Sequence, residues 1–118
     1  MKVFYYLKTC NTCKRIMNDL SISSEIKLID IKSYPINLKQ LEEIRIISGS
    51  YESLFNKRAQ LYKQRNLKNK SLTESEYRDL ILEHYTFLKR PVLIFEKQLF
   101  IGNSIDNIKR LKVFLDEK

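Results

Sequence analysis

The chain has 118 residues, 43% hydrophobic and 31% charged, with two glycines, two prolines and a formal charge of +8 from 22 Lys and Arg against 14 Asp and Glu. That size and balance suit one folded domain with its own core and exclude a disordered or fibrous chain. No leader-type apolar segment opens the sequence and no run approaches the ~20 apolar residues of a membrane span, so a cytosolic protein is expected, with no membrane partner and a field that favours anions.

Residues 2–7, through Val3, Phe4, Tyr5, Tyr6 and Leu7, read as a strand rich in β-branched and aromatic side chains, with Tyr6 taken as core packing. Cys10-Asn11-Thr12-Cys13 follows, and Cys13, Ile16, Met17 and Leu20 recur at helical spacing over residues 12–20. Cys13 therefore shares a buried helix face, while Cys10 ends the loop before it. The N–H groups of a first helical turn favour a thiolate at that position. In a reducing compartment the pair reads as catalytic, redox-sensing or inert rather than as a structural disulfide. Zinc is not expected, because Cys10, Cys13 and the single His84 fall short of a closed four-ligand site.

Glu25 to Ile31 reads as a second strand after the short Ser21–Ser24 loop. A right-handed strand–helix–strand unit makes the two strands parallel and puts Cys10 at the carboxyl edge of the first, where open α/β sheets keep their sites. Asn37 with Gln40 predicts a helix N-terminus, Leu38, Leu41, Ile44 and Ile47 its apolar stripe, and Gly49 its end. From Tyr51 to Leu88 no strand signal occurs, giving a helical insertion over about residues 50–88. Within it, Thr73 and Glu76 form a capping box that opens a helix with Tyr77, Leu80, Ile81 and His84 on one face, His84 being a satisfied, partly buried residue and not a base.

Arg90-Pro91 leads into Val92-Leu93-Ile94-Phe95, a turn at Glu96 and Lys97, and Gln98-Leu99-Phe100-Ile101 before Gly102, which predicts two antiparallel strands. Ser104 caps a last helix with Asp106 in its first turn and Ile105, Ile108, Leu111 and Leu115 turned inward. The basic residues are scattered except between Lys57 and Lys70, which argues against a dedicated nucleic-acid surface.

Three groups of residues carry a resemblance that spans the chain: Tyr6-x-x-x-Cys10-x-x-Cys13-Lys14; Leu54-Phe55-Asn56-Lys57-Arg58 with Tyr62-Lys63; and Leu88-Lys89-Arg90-Pro91-Val92-Leu93-Ile94 with Gly102. In these the chain resembles the bacterial arsenate reductase (ArsC) family, which includes ArsC-like reductases of less settled substrate and the Spx regulators. The resemblance implies an α/β, thioredoxin-like fold of the glutaredoxin type, a mixed four-stranded sheet with a helical insertion in one domain, and a cis bond before Pro91. It implies an oxidoreductase in which Cys10 attacks an oxyanion or a disulfide, Arg58 and Arg90 hold the negative charge, and Cys13 or glutathione resolves the adduct. A guanidinium offers planar paired donors to an oxyanion and, as a fixed positive charge, lowers a nearby thiol pKa.

Asn11, Thr12, Pro91 and Asn103 are the substrate-contacting positions on the same reading. No tightly bound cofactor is implied; glutathione or glutaredoxin is the electron donor, with a thioredoxin-type protein as a further partner and the chain acting as a monomer. Reductases proper carry another Arg just after the glycine that ends the hairpin, where this chain has Asn103, which hydrogen-bonds an oxyanion but adds no charge. Glutathione, a glutaredoxin-type partner or a protein disulfide therefore stands beside arsenate as the electrophile. The alternative is an Spx-like regulator that binds RNA polymerase and uses Cys10 and Cys13 as a disulfide switch.

Overall fold

The protein is described from a computed structural model that covers residues 1–117. In chain order it comprises β1 (Lys2–Tyr6), α1 (Asn11–Asn18), β2 (Lys27–Asp30), α2 (Leu38–Ser48), α3 (Gln60–Gln64), α4 (Glu74–Glu83), β3 (Val92–Phe95), β4 (Gln98–Ile101) and α5 (Ile105–Asp116). Single 3₁₀ turns lie at Glu52–Leu54, Leu67–Asn69 and Tyr85–Phe87. Two compact units result: Met1–Tyr34 with the chain from Arg90 onward, and Pro35–Lys89.

The first unit holds a mixed four-stranded sheet in the order β2-β1-β3-β4. β1 and β2 are parallel, with Tyr6 opposite Asp30, as the helical crossover through α1 requires. β3 runs antiparallel to β1, with Tyr5 opposite Val92, and β4 antiparallel to β3, with Ile101 opposite Val92. The ends of β1, β2 and β4 and the start of β3 thus meet at one edge of the sheet. The core packs Phe4, Ile26, Leu93, Phe95, Phe100, Leu111 and Leu115 together, with Tyr6, Met17, Leu20, Ile108 and Phe114 against it. Tyr6 is a packing residue here.

The second unit takes in α2 together with the helical stretch that follows. Phe55 is its aromatic hub, stacked on Phe87 at 5.2 Å and edge-on to Tyr77 at 4.9 Å and Tyr62 at 5.8 Å between ring centroids. A bridge pairs Phe55 with Leu88, flanked by Lys89 N–H to Leu54 C=O at 2.9 Å and Asn56 N–H to Phe87 C=O at 2.8 Å.

Elements fall where the periodicities put them, with differences at their ends. α1 starts at Asn11 and stops at Asn18, closed by a tighter turn in which Asp19 N–H reaches Ile16 C=O at 3.0 Å. β2 begins only at Lys27, because Ile26 N–H is bonded to Ser23 C=O in a turn while its side chain is buried. On α2 only Leu41 and Ile44 are buried, and Leu38 and Ile47 are exposed. A strict three-residue spacing drifts by about 60° a step, which leaves the outer two residues about 90° from the centre of the face.

Ile105 is likewise corrected: it faces solvent at 77% exposure. The inward place in that turn belongs to the buried Asn107, whose Nδ2 donates to Gly102 C=O at 2.7 Å. His84 ends α4 in extended conformation, off the helical face, and its Nδ1 accepts the Thr86 N–H at 3.0 Å.

Candidate functional site

Cys10 is the residue where loop becomes helix: its backbone is extended (φ −89°, ψ 115°) and its C=O accepts the Lys14 N–H at 3.1 Å, the first bond of α1. Its own N–H donates back to Leu7 C=O at 3.0 Å, so the turn after β1 is closed around it. No acidic side chain stands in the first turn of α1, and Lys14 and Arg15 lie exposed just beyond. The positive end of the helix is therefore left unneutralised next to the sulfur.

The pairing of β1 with β3 brings Arg90 to this place. Val92 sits opposite Tyr5 at the end of β1, so the residues just before β3 lie beside those just after β1. The Arg90–Pro91 bond is cis, as the resemblance implied, and Pro91 is buried with its C=O accepting the Gly102 N–H at 2.8 Å. The Arg90 guanidinium faces the Cys10 thiol.

Opposing effects act on the two thiols. Burial works against a charged Cys10, but the Cys13 N–H, the Cys13 thiol and the Arg90 guanidinium together outweigh it and hold Cys10 below the ordinary thiol value. Cys13 is buried on the inner face of α1 beside Ile16. Its thiol is pushed up to about 11, mainly by burial and further by the Cys10 thiolate, although the Leu7 N–H and Arg90 favour its charged form. Both cysteines are free thiols. The arrangement sets one thiol favoured as thiolate beside one protonated, sheltered neighbour.

Of the remaining expected positions, Asn11 is exposed and Thr12 half-buried in the first turn of α1. Asn103 is exposed immediately after Gly102 (φ 88°), at the same sheet edge, since Gly102 is bonded to Pro91. Arg58 belongs to the second unit, exposed in the turn before α3, where its N–H donates to Asn56 Oδ1 at 3.0 Å and Asn56 Nδ2 donates to Thr86 C=O at 3.2 Å.

Two side chains at this edge escaped the sequence reading. Asp30 ends β2 and accepts the Lys8 N–H at 3.1 Å, the Lys32 N–H at 3.4 Å and the Ser33 hydroxyl at 2.9 Å. Asn107 holds the turn that carries Asn103, through Gly102. A clue to the first lay in the Asp-x-x-Ser pattern of a capped turn; nothing local marked the second. Among the described residues no group of His, Cys, Asp and Glu is placed to hold a metal ion, and no helix is long and apolar enough to cross a membrane.

Comparisons with known proteins agree with this fold. The chain is 26% identical to the global transcriptional regulator Spx of Bacillus subtilis over 113 residues, covering 93% of this chain and 86% of that protein. A solved structure described as a possible arsenate reductase from Streptococcus mutans superposes with a TM-score of 0.70 at 28% identity, over 92% of this chain and 98% of that one. An arsenate reductase from Vibrio cholerae shares the fold at 18% identity and a TM-score of 0.71, over 93% of this chain and 96% of that one. The ArsC family profile matches residues 5–111, a span that includes both cysteines, the cis proline and all four strands but the first residues of β1, and on that match the chain belongs to the ArsC family.

Proposed function

We propose that the protein is a cysteine-dependent thiol oxidoreductase with Cys10 as nucleophile. The observation that carries this reading is the Arg90 guanidinium set against a Cys10 thiol already favoured as thiolate by the Cys13 N–H. The Cys10 thiolate attacks one sulfur of a disulfide such as oxidised glutathione; a Cys10–glutathione bond forms, the substrate S–S bond breaks, and one glutathione thiolate leaves. Cys13 then gives up its proton to that thiolate and attacks the Cys10 sulfur, releasing the second glutathione. Two electrons pass from the Cys10 and Cys13 thiols to the substrate, and a reduced thiol of the glutathione, glutaredoxin or thioredoxin type restores the pair.

Arg58 is assigned to the anionic part of the substrate by the family resemblance. Asn103, in place of a third arginine, favours a disulfide over arsenate, because a neutral amide compensates an oxyanion's charge far less than a guanidinium does. Asn11, Thr12 and Pro91 are assigned to substrate contact on the same reading.

Intact-mass analysis after exposure to glutathione disulfide, arsenate or peroxide tests the assignment. The expected result is a mixed disulfide that accumulates on Cys10 in C13S, an internal disulfide in the native chain, and no adduct in C10S. A chain in which glutathione disulfide and arsenate both leave Cys10 unmodified defeats the proposal.

A second reading is favoured by the similarity to Spx over 93% of the chain. In it the same pair closes as a switch without turnover, and the reduced and oxidised forms bind RNA polymerase differently. Sustained turnover of glutathione disulfide with a thiol donor separates the two, because a switch reacts once per chain. Polymerase subunits that co-purify with one redox form alone support the regulator.

A further inference from the structure

The pairing of β1 with β2 ends one residue short of the loop that matters. Tyr6 stands opposite Asp30, and Ile31 N–H to Tyr6 C=O at 2.9 Å is the last rung between the strands. Beyond it Lys8 and Thr9 are exposed, and no regular ladder holds the chain before it turns into α1 at Cys10. At that point the Lys8 N–H turns to the Asp30 carboxylate, Oδ1, at 3.1 Å.

Asp30 is itself tightly held. Its Oδ1 also accepts the Lys32 N–H at 3.4 Å, its Oδ2 accepts the Ser33 hydroxyl at 2.9 Å, and its C=O accepts the Tyr34 N–H at 2.9 Å. The turn after β2 thus grips a carboxylate from one side while the Cys10 loop hangs on it from the other. On the loop side the connection runs on at once: Leu7, next to Lys8, accepts the Cys10 N–H at 3.0 Å, and its own N–H acts on the Cys13 sulfur. The carboxylate thus holds the chain at Lys8, two residues before the nucleophile, and the Cys10 N–H to Leu7 C=O bond closes the turn from there.

We propose that Asp30 is a positioning residue for the nucleophile: by anchoring the Lys8 N–H to the end of β2, it fixes the Leu7–Cys10 turn so that the Cys10 sulfur meets both the Cys13 N–H and the Arg90 guanidinium. This rests on the reading of Cys10 as nucleophile and extends it from the reacting sulfur to what aims it. The proposal carries a built-in sign. A carboxylate acting merely as a nearby charge opposes a thiolate, so its loss as a charge would make Cys10 more acidic. Its loss as an anchor lets the turn relax, weakens the contacts with Arg90 and the Cys13 N–H, and makes Cys10 less acidic.

The test is the pH profile of iodoacetamide alkylation at Cys10, followed by peptide mass spectrometry on the full chain. In D30A the midpoint is expected to rise toward that of an ordinary thiol and the rate at pH 7 to fall several-fold. D30N, whose amide oxygen still accepts the Lys8 N–H, is expected to restore a profile close to native. Should D30A fail to fold by circular dichroism, D30S replaces it, since a serine hydroxyl is too short to reach the loop, and the same rise is expected. A folded D30A or D30S with the native profile, or with a midpoint moved down, overturns the proposal. Iodoacetamide reads the thiolate without any disulfide or oxyanion substrate, so a protein that turns over no substrate still answers the question about Asp30. Turnover with an unmoved D30A profile would defeat Asp30 alone.

Discussion

At Cys10 burial opposes the thiolate and is outweighed by hydrogen bonds from the Cys13 N–H and thiol acting together with the Arg90 guanidinium. A thiol held below its ordinary range is thiolate at lower pH, so its reactivity persists as pH falls toward neutrality and is lost only below the lowered midpoint. Removing the guanidinium in R90A is expected to move the alkylation midpoint of Cys10 upward and to slow the reaction at pH 7 several-fold, because less of the thiol is then thiolate. R90K should recover part of this, since an ammonium supplies charge without the planar fork. Stopped-flow or mass-resolved alkylation across pH 5–10 measures both. Cys13, pushed up to about 11, stays mostly protonated over this range and should label far more slowly, as its burial requires. Burial of Cys13 was readable from its place in a helical stripe with Ile16. That Arg90 keeps company with Cys10 was legible only through the family resemblance, because Arg90 is remote in the chain and nothing local points one toward the other.

The elements that carry the clearest local signals are the two helices of the second unit opened by capping boxes. In α2 the Asn37 side chain accepts the Gln40 N–H at 2.8 Å and Gln40 Oε1 accepts the Asn37 N–H at 3.0 Å; in α4 Thr73 and Glu76 do the same at 3.2 and 3.0 Å. Asn37→Ala should cost about 1 kcal/mol of stability, as an N-cap loss does. Gly49 closes α2 at φ 95°, and a Cβ there meets nothing within 4 Å, so Gly49→Ala should cost about 1–2 kcal/mol through the backbone alone. Urea unfolding followed by circular dichroism checks both, with the midpoint lowered and the slope unchanged. These ends were legible because a cap is written in adjacent residues. The inward faces were legible only in part: the stripes on α2 and α5 overreach at Leu38, Ile47 and Ile105, since how wide a face is buried depends on what it packs against, and at Asn107 a polar side chain takes an inward place to hold Gly102.

Taken as a whole the chain carries +8, and that excess should show in kinetics more than in stability. The reaction of Cys10 with anionic glutathione disulfide is expected to slow several-fold from low salt to about 0.1 M, where the Debye length falls to about 10 Å, while a neutral aromatic disulfide reacts at nearly constant rate. R58A should lose part of that preference for the anion without moving the alkylation midpoint of Cys10; equal salt dependence for both disulfides would remove anion recognition from the proposed function. Strand and helix order, the βαβ start, the hairpin after Pro91 and the Cys10–Cys13 pair at the start of a helix were all present in the order of side chains along the chain, because periodicity, capping and turn chemistry act between near neighbours. The gathering of Cys10, Arg90 and Asp30 at one sheet edge required the pairing of β1 with β2 on one side and β3 on the other, since strand register joins residues that no local pattern connects.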